Sequence, residues 1–192
     1  MIGAIVLAAG NATRFGAPKV VARLRGVELV RHVIDRLSVA GISEIVVIAG
    51  DHVEAIRAAA AGSVATVVRN ATPSAGMSAS LITGVNALSA DCSAFVVALG
   101  DQPGIDASLV ATLRAAWEGS NAAAVVPMFR GGVRGHPVLF DISMRRFLLQ
   151  LQGDQGAREL LAAMPERVLF LPVDADAPLD VDTPDDLEAL ER

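Results

Sequence analysis

The 192-residue chain points to a single α/β domain, three layers thick, with helices on both faces of a mainly parallel sheet. Three observations lead there. Short apolar runs, the mark of strands buried on both faces, alternate with stretches of helical period. That alternation is the pattern of a parallel sheet with crossover helices. Apolar residues make up 53% of the chain against 19% charged, which is the opposite of a disordered composition. No linker, internal repeat or low-complexity tract divides residues 1–192, a length one core can serve.

The elements follow in order. Ile2 to Ala8 is a continuous apolar run and gives the first buried strand. Leu29 to Ala40 sets Val30, Val33, Ile34 and Leu37 on one helical face and stops at Gly41, a C-terminal cap. Glu44 to Ala49 is a β-branched strand, His52 to Ala61 a helix and Val64 to Val68 a third strand. A loop holding Pro73 and Gly76 leads to a helix from Ser80 to Leu88. Ala94 to Leu99 is the next buried strand, followed by a helix from Ser108 to Trp117 and a strand from Ala123 to Pro127.

After that the pattern becomes irregular. Gly131, Gly132 and Gly135 surround a polar stretch before the apolar Val138-Leu139-Phe140. Short helices are expected at 142–151 and 156–164, then a late strand from Val168 to Pro172. A last helix opens after Asp182-Thr183-Pro184, with proline in its first turn.

A net charge of −5 disfavours a nucleic-acid partner, since phosphate backbones select basic faces. It leaves room for a single nucleotide held by a few local cations. Cys92, the one cysteine, excludes an internal disulfide and any multi-cysteine metal site, and suits a small buried position beside a strand. The first apolar run has no basic region before it and breaks at Gly10-Asn11, unlike a secretory signal. Nothing approaches the roughly 18 apolar residues of a membrane span. A cytoplasmic protein is the expectation.

In such sheets ligands bind beyond the carboxyl ends of the strands. The loop after the first strand runs Leu7-Ala8-Ala9-Gly10-Asn11-Ala12-Thr13-Arg14-Phe15-Gly16-Ala17-Pro18-Lys19. Small residues at 8–10 let the backbone approach an anion, and Arg14 and Lys19 add two cations. It is neither a Walker A loop nor a dinucleotide fingerprint. On chemistry alone it could equally be a tight turn with two solvated cations.

Asp101 ends an apolar strand in Gly100-Asp101-Gln102-Pro103, where an aspartate serves either as a turn cap or as a metal ligand. Asp180 and Asp182 lie in the acidic Leu179-Asp180-Val181-Asp182-Thr183-Pro184-Asp185-Asp186-Leu187, which also fits plain capping by Asp182 or Thr183. Gly76, Ser78 and Ser80 stand before a helix and suit either capping or a ligand loop. His32 lies off its helix's apolar stripe and should be solvated, and His52 has no cluster partner. No zinc spacing or Ser-His-Asp arrangement occurs.

Several of these strings resemble one family. LAAGNATRFGAPK is similar to the L-A-A/G-G-x-S/A-x-R-M/F-G-x-x-K signature of the MobA-like nucleotidyltransferases. Gly100-Asp101-Gln102-Pro103 resembles the family's G-D-M/Q-P, and Asp180 to Leu187 resembles its acidic ending. Gly76-Met77-Ser78-Ala79-Ser80-Leu81, Gly135-His136-Pro137-Val138-Leu139-Phe140 and Gly153-Asp154-Gln155-Gly156-Ala157-Arg158 resemble the MocA-like molybdopterin cytidylyltransferase branch.

The resemblance implies a Rossmann-like (GT-A-like) nucleotidyltransferase sheet and an Mg²⁺-dependent transfer of CMP from CTP to molybdopterin. Leu7, Ala8, Ala9, Gly10, Arg14 and Lys19 would bind the triphosphate. Asp101 and Asp182 would hold Mg²⁺, with Asp180 in reserve, and Ser78 and Ser80 would reach the base or its sugar. His136 and Arg158 would face the acceptor, although His136 suits a turn-fixing role equally and Arg158 a pairing with a carboxylate on its own helix; a molybdenum hydroxylase would be the recipient. Alternatives are a guanylyltransferase, a cytidylyltransferase for another phosphorylated small molecule, a non-catalytic maturation factor, and a redox-active relative of the same fold.

Overall fold

The computed structural model describes residues 1–10 and 18–191. The chain opens with β1 (Ile2–Ala8) and a short 3-10 turn (Lys19–Val21). A small hairpin of β2 (Arg23–Leu24) and β3 (Val27–Glu28) precedes α1 (Leu29–Val39). Then come β4 (Glu44–Ala49), α2 (Val53–Ala60), β5 (Ala65–Arg69), α3 (Met77–Ala87), β6 (Ala94–Leu99) and α4 (Ala107–Glu118). The second half holds β7 (Ala124–Phe129), β8 (Val133–Arg134), β9 (Val138–Asp141), α5 (Arg145–Leu148), α6 (Ala157–Ala162), β10 (Val168–Pro172) and α7 (Pro184–Glu191).

The main sheet runs β10-β7-β9-β6-β1-β4-β5, with β8 paired on β7. Strand β1 is central and pairs in parallel with both β4 and β6, so Leu7 lies beside Ile48 and Leu99. Strand β9 runs antiparallel between β6 and β7. Alternate residues feed two cores. Val6, Val47 and Val96 pack with Val33, Ile56 and Leu113 of α1, α2 and α4. Ile5, Ile48, Phe95 and Phe140 pack with Leu81 and Val85 of α3, Leu148 of α5 and Leu160 of α6. Two helical layers around one mostly parallel sheet are what period-2 burial on both faces requires.

Helix α1 ends as its sequence suggests. Gly41 takes φ +83° and donates its N–H to the Ser38 carbonyl, while Ile42 donates to Leu37, the paired bonds of a Schellman motif. Three local features differ from expectation. Residues 138–140 belong to a full strand inside the sheet, and α3 begins at Met77 rather than Ser80. His32 is half-buried rather than solvated, because its Nε2 meets the Leu24 carbonyl at 3.0 Å and ties α1 to the hairpin.

Candidate active site at the carboxyl edge

Strands β1, β4 and β6 all end at one edge, and the small residues there let the loops close on one another. Gly100 N–H donates to the Leu7 carbonyl at 2.9 Å, which fixes the exit of β6 against that of β1. Leu7 and Ala9 are half-buried at the rim, Ala8 is buried and Gly10 is exposed. Arg14 lies outside the described residues.

Lys19 opens the 3-10 turn after Pro18, with Val20 buried beneath it. Its Nζ sits 2.5 Å from Asp101 Oδ2 and 2.6 Å from Asp182 Oδ1, bringing together residues distant in sequence. Burial alone would lower the Lys19 pKa, but hydrogen bonds and attraction from the two carboxylates outweigh it and raise it above the ordinary value.

Capping explains why Asp182 is free to face the lysine. Asp186 accepts from the N–H groups of Asp182 and Thr183 and from the Thr183 hydroxyl. Thr183 Oγ1 in turn accepts from Asp186 N–H at 3.3 Å. This reciprocal box makes Thr183 the cap of α7 and leaves the Asp182 carboxylate unspent. Those donated hydrogen bonds also hold the Asp186 carboxyl below its usual range. The backbone just before it is fixed too, because Val181 N–H donates to the Asp101 carbonyl at 3.1 Å and the Val181 side chain is fully buried.

Two carboxylate oxygens therefore converge on one cation position, taken here by the Lys19 ammonium. Hard oxygen donors at such a point suit Mg²⁺ or a similar ion, which commonly needs only one or two carboxylates beside phosphate oxygens and water. Among the described residues no group of three or more His, Cys, Asp or Glu side chains gathers as a closed metal site. An open site completed by a substrate's phosphates fits these residues.

Beside this point lies a cavity of about 370 Å³. Leu7, Leu81, Val97, Leu99, Val138 and Phe140 form an apolar floor. Arg134, His136, Asp154, Arg158 and Glu159 add polar groups. The Arg134 guanidinium stacks 4.4 Å over the Phe170 ring, while Arg158 is exposed and forms no ion pair among the described residues. Burial lowers the His136 pKa, opposed by the negative charges of Asp180 and Asp101, so the imidazole is neutral at pH 7. His136 and Arg158 thus both line the cavity, and His136 also feels the charges of Asp180 and Asp101.

Ser78 and Ser80, expected at the base or sugar, are turned into the fold instead. Ser78 Oγ donates to the Gly153 carbonyl at 2.7 Å, and Ser80 Oγ accepts from Asn70 Nδ2 at 3.0 Å. Both side chains are buried, so their hydroxyls hold loops together. Gly76 has φ +94°, and a Cβ there would overlap the Gly153 carbonyl and lie 2.7 Å from Asp154 Oδ1. Cys92 is buried far from this edge, donates to Glu44 Oε2 at 3.0 Å, and has its thiol pKa pushed up to about 12 by burial and then by that carboxylate. Thiolate chemistry is absent at such a site.

Sequence reasoning missed Asn70, Gln102 and Arg134. Gln102 stood in the quoted Asp-Gln-Pro string, but its partner is 78 positions away. A separate hollow of about 420 Å³ bounded by Trp117, Asp141 and Arg167 lies at the amino edge and holds none of these groups.

A lysine and two aspartates that meet at the carboxyl edge of this sheet, next to a cavity, fit an enzyme of the nucleotidyltransferase class. Residues 4–173 match the model of the MobA-like NTP transferase domain, and the chain belongs to that family. It is 32% identical over 186 residues to nicotine blue oxidoreductase of Paenarthrobacter nicotinovorans, covering 93% of this chain and 91% of that protein. Rv0371c of Mycobacterium tuberculosis superposes with a TM-score of 0.85 at 29% identity over 98% of this chain and 96% of that one. That relative has also been solved in complex with manganese, with a TM-score of 0.81 to this chain. A nucleotidyl transferase of Methanothermobacter thermautotroptrophicus matches at 25% identity and a TM-score of 0.81, over all of this chain and 96% of its own. No helix among the described residues is long and apolar enough to cross a membrane.

Proposed function

We propose that this enzyme transfers CMP from CTP to the phosphate of molybdopterin, releasing pyrophosphate. The observation that supports it most is the meeting of Lys19, Asp101 and Asp182 beside an apolar cavity. An acceptor phosphate oxygen attacks the α-phosphorus of CTP in line. A new P–O bond forms, the bond from the α-phosphorus to the bridging oxygen breaks, and its electron pair leaves with pyrophosphate. The attacking phosphate is already ionised at neutral pH, so no strong general base is needed.

Catalysis then rests on positioning and charge. Lys19 exchanges its carboxylates for phosphate oxygens as the nucleotide arrives, and Arg14 is the second cation of the same loop. Asp101 and Asp182, released from the lysine, would hold Mg²⁺. Once bound, the ion would supply charge neutralisation and orient the triphosphate. The stretch Leu7-Ala8-Ala9-Gly10, small from position 8 onward, would give backbone access to that triphosphate. His136 and Arg158 would meet the acceptor from the cavity side, with neutral His136 as a hydrogen-bonding group and Arg158 as a cation that has no ion pair among the described residues.

The test is pyrophosphate release with Mg²⁺ and reduced molybdopterin, comparing CTP, GTP, ATP and UTP. Release that requires molybdopterin and prefers CTP is the expected outcome. Turnover with GTP alone would move the protein to the guanylyl branch, and no release from folded protein would reject the transfer. One observation favours a second reading. The relative named nicotine blue oxidoreductase shares 32% of its residues with this chain. Reduction of a dye at the expense of a nicotinamide cofactor, followed by absorbance, would decide for it.

A further inference from the structure

From the geometry at the exit of β6 we infer that Gln102 and Asp180 form a positioning pair that sets Asp182 opposite Asp101, with Asp180 itself no metal ligand. This rests on the divalent-metal reading above. Gln102 follows Asp101 directly, and its N–H bonds the Leu99 carbonyl at 3.3 Å in the turn leaving the strand. Its side chain is only 6% exposed, and Nε2 donates to Asp180 Oδ1 at 2.8 Å.

A carboxylate can only accept, so the partner itself decides which end of the amide faces Asp180. The other end, Oε1, is buried with no partner. Leaving a buried carbonyl oxygen unbonded costs stability. The side chain is thus held in place for its Nε2 contact at the expense of its oxygen.

The consequence reaches Asp182 through the backbone of residues 180–182. Val181 is fully buried against Leu24 and Leu29, and its N–H bonds the Asp101 carbonyl. On either side of it, Asp180 turns to Gln102 and Asp182 turns to Lys19 and Asp101. The amide thus fixes the segment on one side of Val181 and thereby the carboxylate on the other. Removing it frees the segment to drift, and a misplaced oxygen donor weakens a metal site without altering its composition.

Substitutions at 180 and 182 separate this from direct ligation. Asp180→Asn keeps an oxygen that can accept from Gln102, whereas Asp180→Leu keeps the volume and removes the acceptor. Mn²⁺ alone is titrated against the full chain by the free-ion EPR signal, with thermal melting of each variant alongside. We expect Asp180→Asn to stay within about threefold of the unaltered affinity, since only a charge outside the coordination sphere is lost. Asp180→Leu and Gln102→Met should each lose about tenfold, and the double variant no more than either, as expected for one shared contact. Asp182→Asn should lose at least about a hundredfold.

If Asp180→Asn falls as far as Asp182→Asn, Asp180 is a ligand and the pair is misassigned. If Asp180→Leu binds Mn²⁺ as well as the unaltered protein, the contact positions nothing. Should Gln102→Met fail to fold, the Asn and Leu comparison at 180 still decides. A folded, unaltered protein that takes up Mn²⁺ neither alone nor together with CTP, beyond what CTP binds by itself, would instead overturn the metal reading, and with it this inference.

Discussion

Lys19 is held by opposing demands. Its ammonium occupies the point between Asp101 and Asp182 where a metal would sit, yet its place in the loop suits a triphosphate. Replacing it with methionine should therefore act in opposite directions on the two ligands. Lys19→Met should tighten binding of Mn²⁺ alone several-fold, because the carboxylates lose their internal competitor, and raise the KM for CTP at least tenfold. Metal titration and steady-state kinetics check both. Asp101→Ala should cut turnover by about a hundredfold or more while the melting temperature stays near that of the unaltered protein. Near-normal turnover there would remove Asp101 from the metal site. These three residues were visible in the sequence because each stands in a compact motif. Their meeting was not, since Lys19 and Asp182 are 163 positions apart. Nor could the sequence choose between Asp182 and Thr183 as the cap of α7; the Thr183–Asp186 box settles it. His136 carries a pH prediction. Burial puts its folded pKa below the ordinary 6.5, so as pH falls the unfolded chain takes up a proton first. Stability should be full above about pH 6.5 and decline as the pH drops from there to the lower folded value. Melting curves from about pH 5 to 8 should show this slope, and His136→Gln should flatten it.

The N-terminus of α3 shows why an element can start where its own sequence does not announce it. Gly76, Ser78 and Ser80 look like loop, and the helical pattern becomes clear only from Ser80. The helix nevertheless begins at Met77, because the Gly153 carbonyl accepts from both the N–H and the hydroxyl of Ser78. That partner lies 75 positions ahead, beyond any local signal. The clasp ties the turn before α3 to the turn before α6, whose Gly156 and Arg158 line the cavity. It works only with glycine at 76, where φ is +94° and a side chain would meet Gly153. Gly76→Ala should cost about 1–3 kcal/mol from backbone strain alone, with displacement of the 153–156 turn adding to it. Ser78→Ala should cost about 1 kcal/mol, the net value of one hydrogen bond. Calorimetric melting measures both. In kinetics, each should raise the KM for the acceptor more than that for CTP, because the clasp lies on the cavity rather than on Lys19. An effect confined to CTP would return Ser78 to the nucleotide.

Across the whole molecule, the sheet divides the work between its halves. The parallel β1, β4 and β6 were plain in the sequence, since strands buried on both faces give unbroken apolar runs. Their carboxyl edge located Lys19 and Asp101, the positions proposed for the nucleotide phosphates and the metal. Strand β9 was not plain: four residues after a glycine-rich stretch carry no signal for insertion between β6 and β7, because pairing register depends on partners elsewhere in the chain. That insertion puts Val138 and Phe140 under the cavity and His136 at its polar side, so the cavity proposed for the acceptor became legible only in three dimensions. The two halves meet where the acidic segment before α7 returns to Asp101. A ligand seated there contacts β1, β6 and the C-terminal segment together, so its binding should stabilise the domain as one unit. At a hundredfold excess over Kd the gain is about 2.7 kcal/mol. For a domain of this size that is roughly 5–10 °C in Tm. CTP with Mg²⁺ should produce a shift of this order, GTP with Mg²⁺ a smaller one, and chelation of the metal should abolish most of it. A full shift with CTP that survives chelation would mean that Lys19 and the loop hold the nucleotide without the aspartates. The metal would then be needed for transfer rather than for binding.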